Sequence, residues 1–542
     1  MLVWDTSPEA LDQLYASIVL AEDESGAQNL PLIQVSASFL IIIGEAVAAY
    51  YLEVGCAGDL FVAGIRAFVQ LNLLGVILYP IFKADNPLVV MCYIFLFMIF
   101  VSAYEAAARP KVVYPSIFRN CVATLGGSLL CMGCVLMMIV APTPWYNAQY
   151  LIPLAGMLIN NALTGTAQAL NLMLDFLTTR KDHIEILLAF GATPWEACWP
   201  GYATTFKNAL IPAINGMNVI GLVSIPGMMT GQVLGGSSPT KAARYQIVIT
   251  FLISGTTFLS VGLINGMTIR SLFDSRGRLA SDTRCSPQSR MRIGQFFSPA
   301  AWKKSKKKPD ALLSDVATGE VPLVLQKVAD GNGAQGAGDP VLKLSISGEI
   351  ARKRPVKVDL DAKPGQVTCI MGPSGIGKTT VLKFISDLTE AEGAMSLREK
   401  PASITQVTQW RRDVLYVHQG KADLPGTPRD MCRSIEKLGV NKGRAKLEPG
   451  PIMEEWGVSA DKIDQQWSTL SGGEKQRIMI AIAVATGPSV ILLDEPTSAL
   501  DEKAKQLVEA KLKTLSCAVI CVTHDRAQAN RIAHAVYELV PQ

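Results

Sequence analysis

Hydrophobic positions follow two regimes along the chain. From about 33 to 270 they form long blocks, at about 33–52, 60–82, 87–106, 117–141, 150–174, 209–234 and 247–270. Each is near the roughly 20 apolar residues that a helix needs to cross a bilayer. From 341 onward the blocks shorten to strand length, as in Val367–Met371 and Val490–Asp494, and helical stretches such as VLKFI follow them. Short continuous apolar runs ahead of helices are the pattern of buried parallel strands. The pattern predicts an all-α polytopic membrane domain of about seven transmembrane helices, joined to an α/β domain.

Charge sharpens the division. Residues 32–270 hold 20 charged positions in 239, about 8%. Residues 341–542 hold 52 in 202, about 26%, close to the average for soluble chains. This contrast excludes a uniform soluble globule and a disordered chain. The net charge of +4 is small for 542 residues and implies no nucleic-acid partner. Eleven cysteines are too scattered for a disulfide scaffold, and a reducing compartment suits the charged half. The chain divides into an acidic N-terminus (1–32), a transmembrane domain (33–272), a basic and then flexible linker (273–340) and a soluble domain (341–542).

Lys and Arg cluster in the loops near 107–119 and 175–208 and in the segment after Arg270. The positive-inside bias therefore places the N-terminus outside and the soluble domain in the cytoplasm. Residues 276–308 carry ten basic residues against one acid, an arrangement that suits anionic lipid or simply a solvated tether. Glu45 and Arg66 sit at similar depth in the first two spans. They either pair and face the bundle interior or snorkel to the interface as anchors. Cys131 and Cys134, near Met137 and Met138, offer either soft metal ligands or ordinary helix packing.

The chemistry lies in the charged half. The strand at Val367–Met371 runs into Gly372-Pro-Ser374-Gly375-Ile-Gly377-Lys378-Thr379-Thr380 and then a helix. This is a complete phosphate-binding loop: glycines let backbone N–H groups ring the phosphates, and the helix amino end adds a positive dipole. Lys378 is placed for the outer phosphates and the Thr379 hydroxyl for Mg2+. A second apolar strand ends in Asp494, a further Mg2+ ligand, and Glu495, a general base for the attacking water.

Between them stands Leu470-Ser471-Gly472-Gly473-Glu474-Lys-Gln-Arg. With the two phosphate motifs, it resembles the signature of ATP-binding cassette transporters, over about 341–542. The resemblance implies an α/β P-loop NTPase cassette with a helical subdomain. It implies that Gln419 is the Q-loop glutamine and a further Mg2+ contact, Asp501 the D-loop aspartate, and His524 the switch histidine. It also implies that Ser471, Gly472, Gly473 and Glu474 complete the ATP site of a second cassette in trans, so the economical assembly is a homodimer. The family's usual adenine-stacking aromatic is absent, because no Phe, Trp or Tyr lies between Trp302 and Phe384. Ile350 or Arg352 is left to cover the base.

The apolar half resembles the Fet-type permeases, which include a bacterial iron exporter and a plant aluminium-resistance half-transporter. Five stretches carry that resemblance, among them Ile65-Arg66-Ala67, the stretch containing Met157 and Asn161, the Gly191-Ala-Thr-Pro194 loop, SIPGMMTG around Met228 and Met229, and Tyr245-Gln246. Their cassettes are normally separate chains. In the 181–199 loop, which includes Pro194, the spacing of Glu185 and Gly191 resembles the importer coupling-loop pattern, which implies a short coupling helix docking beside Gln419; an ordinary amphipathic surface helix is the alternative. Met157, Asn161, Met228, Met229 and Gln246 line a transport pathway or pack helices through small neighbours.

The expected function is an ATP-hydrolysing half-transporter acting as a homodimer, an exporter of a metal ion such as iron. A nucleotide-sugar transporter is the alternative, and a mechanotransmission ATPase that moves no cargo is the rival from another class.

Overall fold

The computed structural model describes residues 32–83, 86–141, 144–279, 285–287, 322–330, 339–350, 354–418 and 424–541. The acidic N-terminus, the 303–308 lysine run, Arg352 and Gln419 lie outside the described residues. The chain forms two compact units.

The first unit is helical and contains Phe206–Asn265 together with the chain up to Asn171. Its helices are α1 (Leu32–Tyr51), α2 (Ala57–Lys83), α3 (Pro87–Ala107) and α4 (Ile117–Val140). They continue with α5 (Ala148–Thr179), the end of α7 (Pro194–Val219), α8 (Gly227–Leu234) and most of α9 (Pro239–Leu272). Among the described residues, Ala57–Phe82, α3, α4 and α9 are long and apolar enough to cross a membrane. Large apolar side chains such as Leu40, Leu73 and Phe251 stay exposed. A helix that is apolar all round finds that surface matched by lipid.

Two expectations about the helices are corrected. The sixth block, 209–234, is not one helix: α7 stops at Val219, residues 220–226 are non-helical, and α8 begins only at Gly227. Gly221 takes a positive φ and Pro226, in extended backbone, caps the next helix, so helical hydrogen bonding breaks although hydropathy continues. The 175–208 loop is mostly helix, because α5 runs on to Thr179 and α7 starts at Pro194. Hydropathy marks the apolar stretch of a helix, whereas backbone bonding carries the helix on into polar sequence.

The second unit combines Leu172–Thr205, Gly266–Ser286 and the chain from Asp315 to Gln542. Its strands are β1 (Leu323–Asp330), β2 (Leu342–Ile350), β3 (Arg354–Ala362), β4 (Val367–Met371), β5 (Glu392–Leu397), β6 (Lys400–Pro401) and β7 (Val414–Val417). β8 (Val490–Asp494), β9 (Ala518–Val522) and β10 (Ala535–Pro541) complete the set. They form one sheet in the order β6-β5-β2-β3-β1-β10-β4-β9-β8-β7. Strands β4, β9, β8 and β7 pair in parallel and are buried throughout, as their unbroken apolar runs require. The β2–β3–β5 pairs are antiparallel, and β2 and β3 alternate buried and exposed. Leu323–Asp330, expected in the linker, is a strand of this sheet and pairs with β10 and β3. Glycine-rich neighbours mask its alternation in the sequence.

The helices that frame the site are α6 (Lys181–Ala189), α10 (Lys378–Ile385), α11 (Val407–Asp413), α14 (Gly472–Ala485), α15 (Glu502–Leu512) and α16 (Arg526–Ile532). Two shorter helices, α12 (Pro428–Glu436) and α13 (Gly450–Glu455), lie between α11 and α14 in the chain.

Candidate nucleotide site and its mechanical contacts

The carboxyl ends of the parallel strands β4, β8 and β9 deliver the phosphate loop, Asp494 with Glu495, and His524 to one edge of the sheet. This edge is where open α/β sheets bind ligands. The loop 372–377 leads from β4 into α10, with Ser374 and Gly375 exposed at its rim and Thr380 in the first helical turn. Gly377 has φ 111°, and a Cβ there would lie 2.4 Å from the Ile350 side chain, so both backbone and space demand glycine. Ile350 is therefore a buried floor beneath the loop rather than an open cover for a base.

Lys378 donates from Nζ to the carbonyls of Gly372 at 2.8 Å and Pro373 at 3.0 Å, which holds the ammonium against the loop. Thr379 Oγ1 donates to Asp494 Oδ2 at 2.8 Å. The Tyr416 hydroxyl, from β7, reaches the same oxygen at 3.3 Å. Burial pushes the Asp494 carboxyl above its usual range, and the Thr379 and Tyr416 hydroxyls partly offset this. Thr379 and Asp494 are hard oxygen donors side by side, the kind of pair that fits Mg2+. Tyr416 escaped the motif reading because no motif contains it.

Glu495 adopts φ 45°. Its backbone is held by its N–H donating to Val522 O at 3.1 Å, and by its carbonyl accepting from Gln476 Nε2 at 3.0 Å, Ser498 Oγ at 3.1 Å and the Ser498 N–H at 3.2 Å. A non-glycine residue at positive φ stores strain that neighbours must hold, which is common where a side chain is aimed for chemistry. Glu495 Oε1 lies 3.2 Å from His524 Nδ1. Beneath them, buried Gln528 bridges Thr523 and Thr497, each at 2.7 Å. That bridge ties the loop after β8 to the loop after β9. Sequence reasoning passed over Gln528, which outside this network is an ordinary helix residue.

Ser471 and Glu474 form a reciprocal cap on α14. The Glu474 N–H donates to Ser471 Oγ at 3.3 Å, and the Ser471 N–H donates to Glu474 Oε2 at 2.9 Å. A capping hydroxyl accepts through a lone pair and keeps its own proton for an anion. Lys462 also pairs with Glu474, and these partners hold that carboxyl down at about 2. Gly472 and Gly473 pack on Ala499 and Leu500. Asp501 caps α15 by accepting from the Ala504 N–H at 2.8 Å.

Within the same unit, α6 packs on β7 and α11. Glu185 Oε2 accepts from Lys383 Nζ on α10 at 2.6 Å. Gly191 has φ 88°, and a Cβ there would stand 2.6 Å from the Thr408 carbonyl. Pro194 begins α7, and a Cβ at Gly277 would lie 3.0 Å from its ring. Glu196, unremarked in the sequence, accepts from the Gly439 N–H at 2.7 Å and from the Thr193 N–H at 2.8 Å. Burial pushes its carboxyl up, but these donors outweigh it and leave it below the usual value.

The helical unit corrects one pairing. Arg66 lies 3.6 Å from Glu105, not beside Glu45, and Arg109 approaches the same carboxylate at 3.9 Å. Matching depth along two helices did not reveal the rotation that turns Arg66 toward α3. Asn161 donates to Met157 O at 2.9 Å, and Gln246 Nε2 to Thr250 Oγ1 at 3.2 Å, so both amide donors serve their own helices. Met228 and Met229 lie half-buried on α8. A cavity of about 470 Å³ opens instead between α3, α4 and α5, lined by Met91, Cys134, Met137 and Leu151 among others.

Residues 32–273 match the model of a family described as an uncharacterised protein family, UPF0014, and residues 356–498 match the ABC transporter model. A UPF0014 membrane protein of Synechocystis is 35% identical over 240 residues, 44% of this chain and 92% of that protein. The probable iron export permease protein FetB of Escherichia coli is 30% identical over 40% of this chain and 81% of its own length. The phosphate import ATP-binding protein PstB of Thermotoga maritima is 34% identical over 36% of this chain and 84% of its own length. One resemblance covers each half, as the motifs imply.

Proposed function

Because this chain belongs to the UPF0014 family of multi-pass membrane proteins and carries an ABC transporter cassette on the same polypeptide, an ATP hydrolase coupled to transport, we propose that it exports a metal ion such as iron as a homodimer. The observation that carries the reading is the joining of the two halves: Glu185, on the short helix α6 beside α7, is bonded to Lys383 on the phosphate-loop helix. The cargo reading is supported by the likeness of the permease half to a probable iron export permease. A sugar diphosphate would need a free cation within the spans, and Arg66 instead faces Glu105, which weakens the nucleotide-sugar alternative. In this reading the cassette is cytoplasmic and the N-terminus lies on the opposite side.

The chemistry follows from the site. Backbone N–H groups of 372–377 and the amino end of α10 hold the phosphates, with Lys378 supplying charge. Thr379 and Asp494, with Gln419, would hold Mg2+, which when bound neutralises phosphate charge. Glu495 takes a proton from the attacking water, and His524 orients the Glu495 carboxylate. Ser471 and the α14 amino end of a second copy close over the γ-phosphate.

The reading is tested in proteoliposomes with the cassettes outward. ATP-dependent uptake of Fe2+ together with Fe2+-stimulated ATPase supports it. Uptake of UDP-glucose instead moves the cargo to the alternative, and steady hydrolysis with neither sinks the transport reading.

A further inference from the structure

The phosphate-loop helix α10 is eight residues long, about 12 Å. Its amino end carries Lys378 and Thr379, and its last turn carries Lys383, bonded to Glu185. Just beyond its carboxyl end stands Asp387, 1% exposed and at φ 57°. Two arginines meet this carboxylate: Arg278 through both Nε, at 3.0 Å, and Nη2, and Arg276 through Nε at 3.0 Å.

Both arginines belong to the turn that follows α9. Only Phe273, itself buried, separates Leu272 at the helix end from Asp274. Asp274 holds the turn closed by accepting from the N–H groups of Arg276 at 2.9 Å and Arg278 at 2.8 Å. Arg411 from α11 seals it from the other side, donating to Gly277 O at 3.0 Å, Arg276 O at 3.2 Å and Asp387 O at 2.8 Å. Burial pulls the Arg411 guanidinium down to about 10, so it stays charged at neutral pH. Arg276 and Arg278 open the basic 276–308 stretch, read as facing anionic lipid or as a solvated tether, but they are committed to a buried carboxylate.

Buried ion pairs are expensive to desolvate and add little stability over an apolar packing of the same volume. What they do confer is a fixed geometry. This one joins the last long apolar helix, with almost no slack, to the helix whose other end cradles phosphate. We propose that Asp387, gripped by Arg276 and Arg278, is a second transmission joint: these positioning residues make α9 follow the phosphate-loop helix, in parallel with Glu185–Lys383. The proposal rests on the reading that ATP drives movement in the membrane half.

The test uses the full-length protein in nanodiscs, in a Glu495→Gln background with the exposed Cys92, Cys131 and Cys134 changed to alanine. A bimane is attached to a cysteine replacing Leu222, which is 87% exposed in the break after α7. Without changes at the joint, ATP shifts the bimane emission. Asp387→Asn and Arg278→Gln are expected to leave fluorescent-ATP affinity within about twofold and to cut the emission shift at least threefold. Arg278→Lys should recover part of it. Arg276→Gln, at the more exposed partner, provides a milder version should the others fold poorly. An unchanged emission shift in the variants, or an equal loss of ATP affinity, overturns the joint alone. No ATP-induced shift in the unmodified joint overturns the transport reading with it.

Discussion

His524 Nδ1 lies 3.2 Å from Glu495 Oε1, across the ends of the adjacent parallel strands β9 and β8. The strand register sets this distance: Asp494 pairs with Val522, so residues one and two places beyond face each other. In the proposed mechanism this contact orients the carboxylate that takes the proton from water. Glu495→Gln should lower ATP turnover by roughly 10²- to 10⁴-fold, the range for a lost general base, with ATP still bound. Turnover and filter binding on the same sample check this, and wild-type hydrolysis would refute the assignment.

Tyr416 supports Asp494 without belonging to any motif. Tyr416→Phe removes one hydroxyl donor, so the already raised Asp494 pKa rises further. The carboxylate is the form that ligates metal, so the acid limb of the ATPase profile should move to higher pH. The Mg2+ needed for half-maximal rate should grow roughly 10-fold, as for other supporting groups around metal ligands. A profile that superimposes on wild type counts against this role.

Gly191 lies in the turn between α6 and α7. A side chain there meets the Thr408 carbonyl and a backbone at φ 88°. Gly191→Ala should cost about 1–2 kcal/mol, the range for strain at a positive-φ position. Transport per ATP hydrolysed should fall more than hydrolysis itself. A melting curve and a transport-to-hydrolysis ratio separate the two effects.

The signature cap carries a pH dependence. Lys462 and the Ser471 N–H hold Glu474 at about 2, against 4.5 for an ordinary glutamate. The folded-state value is depressed, so the stabilisation is complete above about 4.5 and is lost as pH falls toward 2. Glu474→Gln should flatten this part of the melting-temperature profile between pH 5 and 3 and leave pH 7 to 8 parallel to wild type. An identical acid slope in the variant would dismiss the cap as its source.

Much of the nucleotide site was legible because its chemistry is local. The phosphate loop, the Asp494-Glu495 pair and the Ser471-Glu474 cap each use neighbours a few residues apart, and spacing reports them directly. Tyr416, Gln528 and Lys383 act at long range, and nothing in their own surroundings sets them apart. The Glu45–Arg66 pairing failed for a related reason, because depth along a helix is written in the sequence and rotation about its axis is not.

The sequence by itself determined the division into an apolar helical half and a charged cassette, the strand–loop–helix that receives phosphate, and the family of each half. These rest on hydropathy, periodicity and contiguous motifs, all properties of neighbours in the chain. Only the tertiary structure decided that Arg276 and Arg278 belong to Asp387, and that one eight-residue helix and the turn after it link Thr379, Lys383 and Asp387 to four partners, Asp494, Glu185, Arg276 and Arg278. Those partners come from positions about 100 to 200 residues away. Which opposite charges meet is then set by the packing of the helices that carry them, because burial admits a charge only where a partner is already in place.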